Sequence, residues 1–62
     1  MNIVTKNKIL KLLGKEKVIT SSELAKSLGV SWNTAQAYLM ELALERKIIR
    51  IKKEGVNLWM LN

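Results

Sequence analysis

The sequence predicts a mostly helical α+β fold in which three helices precede a C-terminal β-hairpin. Apolar residues recur with a helical period in three segments before residue 47. A glycine separates the second and third of these segments. After residue 47, two β-rich runs flank a Glu-Gly pair, which is typical of a hairpin turn. A chain of 62 residues forms one domain, here residues 1–62.

The first helix is predicted over about residues 3–14, with Gly14 as its stop. Its apolar residues are spaced close to a period of 3.6, and they are Ile3, Val4, Ile9, Leu10, Leu12 and Leu13. The β-branched run "VIT" at residues 18–20 predicts a brief strand.

A capping box predicts the second helix, over residues 21–28. Thr20 is the N-cap and Glu23 completes the box three residues later. Gly29 can adopt the left-handed conformation that ends a helix. The buried stripe of this helix is predicted to be Leu24, Ala25 and Leu28.

The third helix is predicted over about residues 32–46, with Ser31 as its N-cap. Ala35, Leu39 and Leu42 form its buried stripe. The hairpin then spans about residues 48–61, with its tip near Glu54 and Gly55. Trp59 is expected to pack in the sheet of this hairpin.

Two stretches, "VITSSELAKSLGVSWNTAQAYLMEL" and "KIIRIKKEGVNLWML", resemble the winged helix-turn-helix family over essentially the whole chain. The resemblance implies a DNA-binding domain whose third helix is the recognition helix and whose hairpin is the wing. The chain departs from the family at Arg46, where many relatives have glycine. Arginine tolerates the left-handed conformation less well than glycine, which puts the register of the first wing strand in question.

The resemblance places Asn33, Gln36 and Ala37 against base edges in the major groove. All three point away from the buried stripe of the third helix. Asn and Gln can pair with adenine, and a small apolar side chain can meet a thymine methyl, so a preference for A·T-containing sites is expected. In the alternative interpretation these side chains merely solvate the start of the helix. Neither Asn33 nor Gln36 is expected to be buried.

Contacts to the DNA backbone are predicted from two groups of residues. On the recognition helix and its cap they are Ser31, Trp32, Thr34 and Tyr38, of which Trp32 has the favoured alternative of lying over the edge of the core. The recognition helix itself has no Lys or Arg from residue 31 to residue 45. Phosphate affinity is therefore expected from cations beside it, which are Lys26, Arg50, Lys52, Lys53 and the lysines of the first helix.

Met40 and Leu44 are apolar and fall on the outward side of the third helix. Together they suggest a contact with a partner, most simply a second copy in a homodimer. Ile48, or Ile3 and Val4, could extend this apolar surface. The alternative is that Leu44 packs under the wing.

Composition excludes several classes of function. The chain has no cysteine or histidine, and its five glutamates are scattered, so neither a metal site, a cofactor nor an enzyme active site is expected. No apolar run is long enough for a membrane span, no small-molecule effector site is evident, and the predicted location is cytoplasmic, on the nucleoid in a prokaryote.

The net charge of +6 points to a polyanionic partner. Its cations are concentrated at the two ends of the chain, whereas residues 18–45 carry only Lys26 against three glutamates. The predicted function is binding of double-stranded DNA by a small transcriptional regulator or architectural protein. The alternatives are a protein-interaction module on the same fold and a binder of structured RNA.

Overall fold

Three helices are followed by a hairpin, in the order that the sequence predicts. The computed structural model describes all residues from Met1 to Asn62. The helices are α1 (Ile3–Glu16), α2 (Ser21–Leu28) and α3 (Trp32–Leu44). The strands are β1 (Ile19–Thr20), β2 (Ile48–Lys53) and β3 (Val56–Leu61). No helix has both the length and the apolarity that crossing a bilayer requires.

Helix α1 is longer than predicted, because Gly14 does not stop it. The helix continues to Glu16 and ends at Lys17, whose φ of 71° turns the chain. Gly14 lies where the helix passes β3, and a Cβ built there would be 3.7 Å from Leu61 Cδ1. Gly14 is therefore an interior residue of the helix rather than its stop. The turn uses Val18, so β1 begins one residue later than predicted.

Helix α2 has the predicted bounds and both predicted terminal signals. Thr20 Oγ1 accepts a hydrogen bond from the Glu23 backbone N–H at 3.1 Å, and the Glu23 carboxylate accepts from the Thr20 N–H at 2.9 Å. Gly29 adopts the left-handed conformation with a φ of 68°. The Val30 N–H then bonds to the Ala25 carbonyl, which closes the tight turn into α3.

Helix α3 ends at Leu44, two residues before the predicted end. Arg46 takes the left-handed position with a φ of 61°. Its N–H bonds to the Ala43 carbonyl, and the Lys47 N–H bonds to the Leu42 carbonyl, both at 3.0 Å. The arginine therefore ends the helix as a glycine would, and β2 starts at Ile48 as predicted.

The three strands form one antiparallel sheet in the order β1-β3-β2, which leaves β2 at an edge. The wing pairs in register from Ile48 with Leu61 to Lys53 with Val56. Its two-residue turn has positive φ at both Glu54 (49°) and Gly55 (80°), as a type I′ turn requires. The predicted tip is confirmed.

The core lies between the helices and one face of the sheet. Its ten buried apolar residues are Ile9, Leu13, Ile19, Leu24, Ala25, Ala35, Leu39, Leu42, Ile48 and Trp59. Trp59 is fully buried, as predicted. The opposite face of the sheet is exposed and carries Ile49, Ile51 and Val56.

Candidate nucleic-acid interface

The outward side of α3 is a straight row of exposed side chains. Asn33, Ala37, Met40 and Leu44 follow one another at spacings of three or four residues, and all four are exposed. The buried residues of α3 lie on the other side of the helix. The first half of the row offers an amide and a methyl group, and no acidic residue precedes Glu41 on this helix.

Gln36 lies beside this row but is tied to the interior, which corrects the expectation that it is not buried. The residue is half-buried, and its Oε1 accepts a hydrogen bond from Ser21 Oγ at 2.5 Å. Ser21 Oγ in turn accepts a hydrogen bond from Trp59 Nε1 at 3.1 Å. The two bonds join residues 15 and 38 positions apart in the chain, so no local pattern predicts them.

The hydroxyl groups of Ser31 and Thr34 lie at the start of α3, where that of Ser31 caps the helix. Ser31 Oγ accepts from the Thr34 backbone N–H at 3.2 Å and donates to Thr34 Oγ1 at 3.0 Å. The two hydroxyl groups share one hydrogen bond, so the pair keeps hydrogen-bonding capacity for a partner outside the chain. Tyr38 packs its ring against the core, and its hydroxyl group has no hydrogen bond within the chain.

Trp32 is partly covered by the protein, and both expectations for it, a place over the edge of the core and a contact with the DNA backbone, stay predictions. Half of its surface, 51 %, is exposed. Its ring borders a groove of about 210 Å³ that the start of α2 and the wing tip also line, through Ser21 and Val56 among others. The groove brings the wing tip next to the start of α3.

The wing cations are divided between the two faces of the hairpin. Residues paired across antiparallel strands share a face. Arg50 pairs with the buried Trp59, so Arg50 and Lys52, two residues further on, belong to the face that meets the helices. Lys53 pairs with Val56 and belongs to the opposite face. The three cations that are close in sequence therefore lie on different faces of the wing.

The lysines of α1 are also divided. Lys6 forms an ion pair with Glu45 of α3, and the amino group of Met1 lies 3.9 Å from Glu41. Lys8, Lys11 and Lys15 line one side of the helix, away from its buried residues. Lys26 is exposed in the last turn of α2.

A family model described as "Winged helix-turn-helix DNA-binding" matches residues 4–49, which is most of the chain. The chain belongs to this family. It is a family of DNA-binding domains rather than enzymes, in agreement with the sequence prediction.

A solved structure supports the winged-helix fold. The domain is similar to the AntR antimony-specific transcriptional repressor, with a TM-score of 0.75 and 17 % sequence identity. The match covers 86 % of this chain and 48 % of the AntR chain, so this winged helix spans about half of that repressor. No curated protein sequence matches the chain.

The apolar C-terminal end of α3 is open to solvent. Leu44 is 82 % exposed, so it does not pack under the wing. Met40 is exposed to a smaller extent, and Ile3 and Val4 are exposed on the first turn of α1. Ile48 cannot extend this surface, because it is buried in the core.

Proposed function

We propose that this winged helix regulates transcription by binding duplex DNA, with α3 in the major groove. The observation that carries the proposal is the first half of α3, a stretch without acidic residues in which Asn33 and Ala37 are exposed and the half-buried Gln36 lies beside them. Short polar and methyl-bearing side chains of this kind read base edges. The similarity of the fold to a protein named as a transcriptional repressor supports the regulatory role. A DNA target would place the protein in the cytoplasm, on the nucleoid in a prokaryote.

The phosphate backbone is contacted by the groups that surround these three residues. On the helix side they are Thr34, Tyr38 and Trp32, with Ser31 as the cap that orders the first turn. Arg50 and Lys52 supply charge from the wing face that meets the helices, and Lys26 supplies it from α2. Lys53 contributes less, because it lies on the other face of the wing. Such contacts position the domain and make its affinity dependent on salt.

We further propose that two copies act together as a dimer through the apolar end of α3. Leu44 and Met40 form the centre of the proposed dimer interface. The exposed Ile3 and Val4 of α1 lie at the same end of the molecule, where an ion pair joins α1 to α3. A single domain with few phosphate contacts binds weakly, and two joined copies gain effective concentration on DNA. A protein-interaction module is the second candidate, because this same apolar surface could receive a different partner.

Selection from random duplex DNA at two salt concentrations tests the proposed function. We expect enrichment of a defined site and an affinity that falls steeply with salt. Asn33→Ala should relax the preference at one base pair by about 1–3 kcal/mol if its contact is bidentate. Salt-independent binding, or equal binding to duplex RNA and to all DNA sequences, would contradict base reading by α3.

A further inference from the structure

The hydrogen bonds that start at Trp59 have a fixed direction. An indole nitrogen can only donate, and Trp59 is fully buried, so it requires an acceptor inside the protein. Ser21 supplies that acceptor and is the single buried polar residue of the chain, at 5 % exposure. Its own proton is donated to Gln36 Oε1, and no buried side-chain nitrogen or oxygen is left without a partner. The buried serine proton needs an acceptor as well, so Gln36 holds its amide oxygen, and not its amide nitrogen, against Ser21.

This bond determines which end of the Gln36 amide is offered to DNA. The amide oxygen is held against Ser21 at the start of α2. The amide nitrogen, on the other branch of the same group, has two N–H donors and no partner within the chain. At this position α3 therefore presents donors, and its acceptor is already engaged.

The bases differ in what they offer to a pair of donors. Adenine presents an acceptor, N7, beside a donor, N6–H₂, so a Gln that reads adenine must use its oxygen as well as its nitrogen. Guanine presents two adjacent acceptors, N7 and O6, and no donor between them. On the proposed binding of α3 in the major groove, we infer that Gln36 selects guanine, with Ser21 as the residue that positions its amide. This differs from the A·T preference that the residue types alone predict.

Selection from randomised duplexes tests the inference. The base pair read by Gln36 is the one at which Gln36→Ala loses preference. The unmodified protein is expected to select guanine there, by about five- to tenfold over adenine. Ser21→Ala releases the amide oxygen and should shift that one base pair towards adenine, leaving the other positions unchanged. Ser21→Thr keeps a hydroxyl group and should retain guanine, and Ser27→Ala, at an exposed serine of α2, should change nothing.

Selection of adenine by the unmodified protein would overturn the inference, as would an unchanged guanine preference in folded Ser21→Ala. If Ser21→Ala does not fold, Gln36→Glu takes its place. A carboxylate can still accept from Ser21 but cannot donate, so guanine preference should disappear and cytosine, which offers an N4–H₂ donor, should gain. Guanine preference that survives this change would contradict donor reading. Absence of salt-dependent DNA binding by the unmodified protein would instead overturn the proposed function itself.

Discussion

Gln36 and Asn33 lie one turn apart on α3 but differ in their links to the interior. Gln36→Ala removes the acceptor of the buried Ser21 hydroxyl group, so we expect the free energy of unfolding to fall by about 0.5–1.5 kcal/mol. The exposed Asn33 has no hydrogen bond to the interior, so Asn33→Ala should change the free energy of unfolding by less than about 0.5 kcal/mol. Urea denaturation of the two variants measures the difference. Equal losses would show that the Ser21 bond adds no stability.

Arg46 is a residue in a conformation that suits glycine. Its φ of 61° costs an L-amino acid more than it costs glycine, so Arg46→Gly should raise the free energy of unfolding by about 0.5–1 kcal/mol. Lys47→Gly is the matched control, because it removes a neighbouring cation where φ is not positive. The control should be destabilised by chain entropy. Thermal unfolding that ranks the two variants in the opposite order would contradict the strain at Arg46.

At the scale of elements, the wing offers different cations on its two faces. Lys52 belongs to the face that meets the helices, so Lys52→Gln should reduce the slope of log K against log salt by about one unit. Lys53→Gln, on the other face, removes the same charge one residue away and should reduce the slope by less. DNA titrations over a range of salt concentrations measure both slopes. Equal reductions would mean that DNA contacts the edge of the wing rather than one face.

Elements set by local chemistry could be predicted from the sequence, and those set by distant contacts could not. The capping box of Thr20 and Glu23 and the turn at Gly55 depend on neighbours within three residues, and both occur where predicted. Gly14 is bypassed: it lies inside α1 near Leu61 of β3, and the positive-φ residue that ends the helix is Lys17. On the candidate site, Asn33 is exposed as expected, whereas the burial of Gln36 arises from a serine and a tryptophan on other elements. A buried tryptophan that needs an acceptor was the one available signal.

At the scale of the whole molecule, a small core coexists with an exposed apolar end. Ten buried apolar residues form the core, while Leu44 is 82 % exposed. If two copies associate there, Leu44→Glu should give a monomer with the same fold and weaker, less cooperative DNA binding. Val18→Glu, at an exposed valine in the turn between α1 and β1, is the control and should not change association. Sedimentation at high micromolar concentration, with and without DNA, decides the matter. A monomer under both conditions would rule out the dimer.

Because β2 is an edge strand, its cations also affect the solubility of the protein. An edge strand with free backbone groups can recruit strands from other molecules, and Ile49 and Ile51 make this one apolar on its outer side. Like-charge repulsion between copies of this strand opposes such fibrous or amorphous aggregation, and the charges come from Arg50, Lys52 and Lys53. Residues proposed to bind phosphate are thus also solubility gatekeepers, and the two roles are removed by the same neutral substitutions. Wing variants therefore need a light-scattering measurement for aggregation. Replacing one of these cations with glutamate would weaken the repulsion further, because opposite charges on neighbouring chains could then pair.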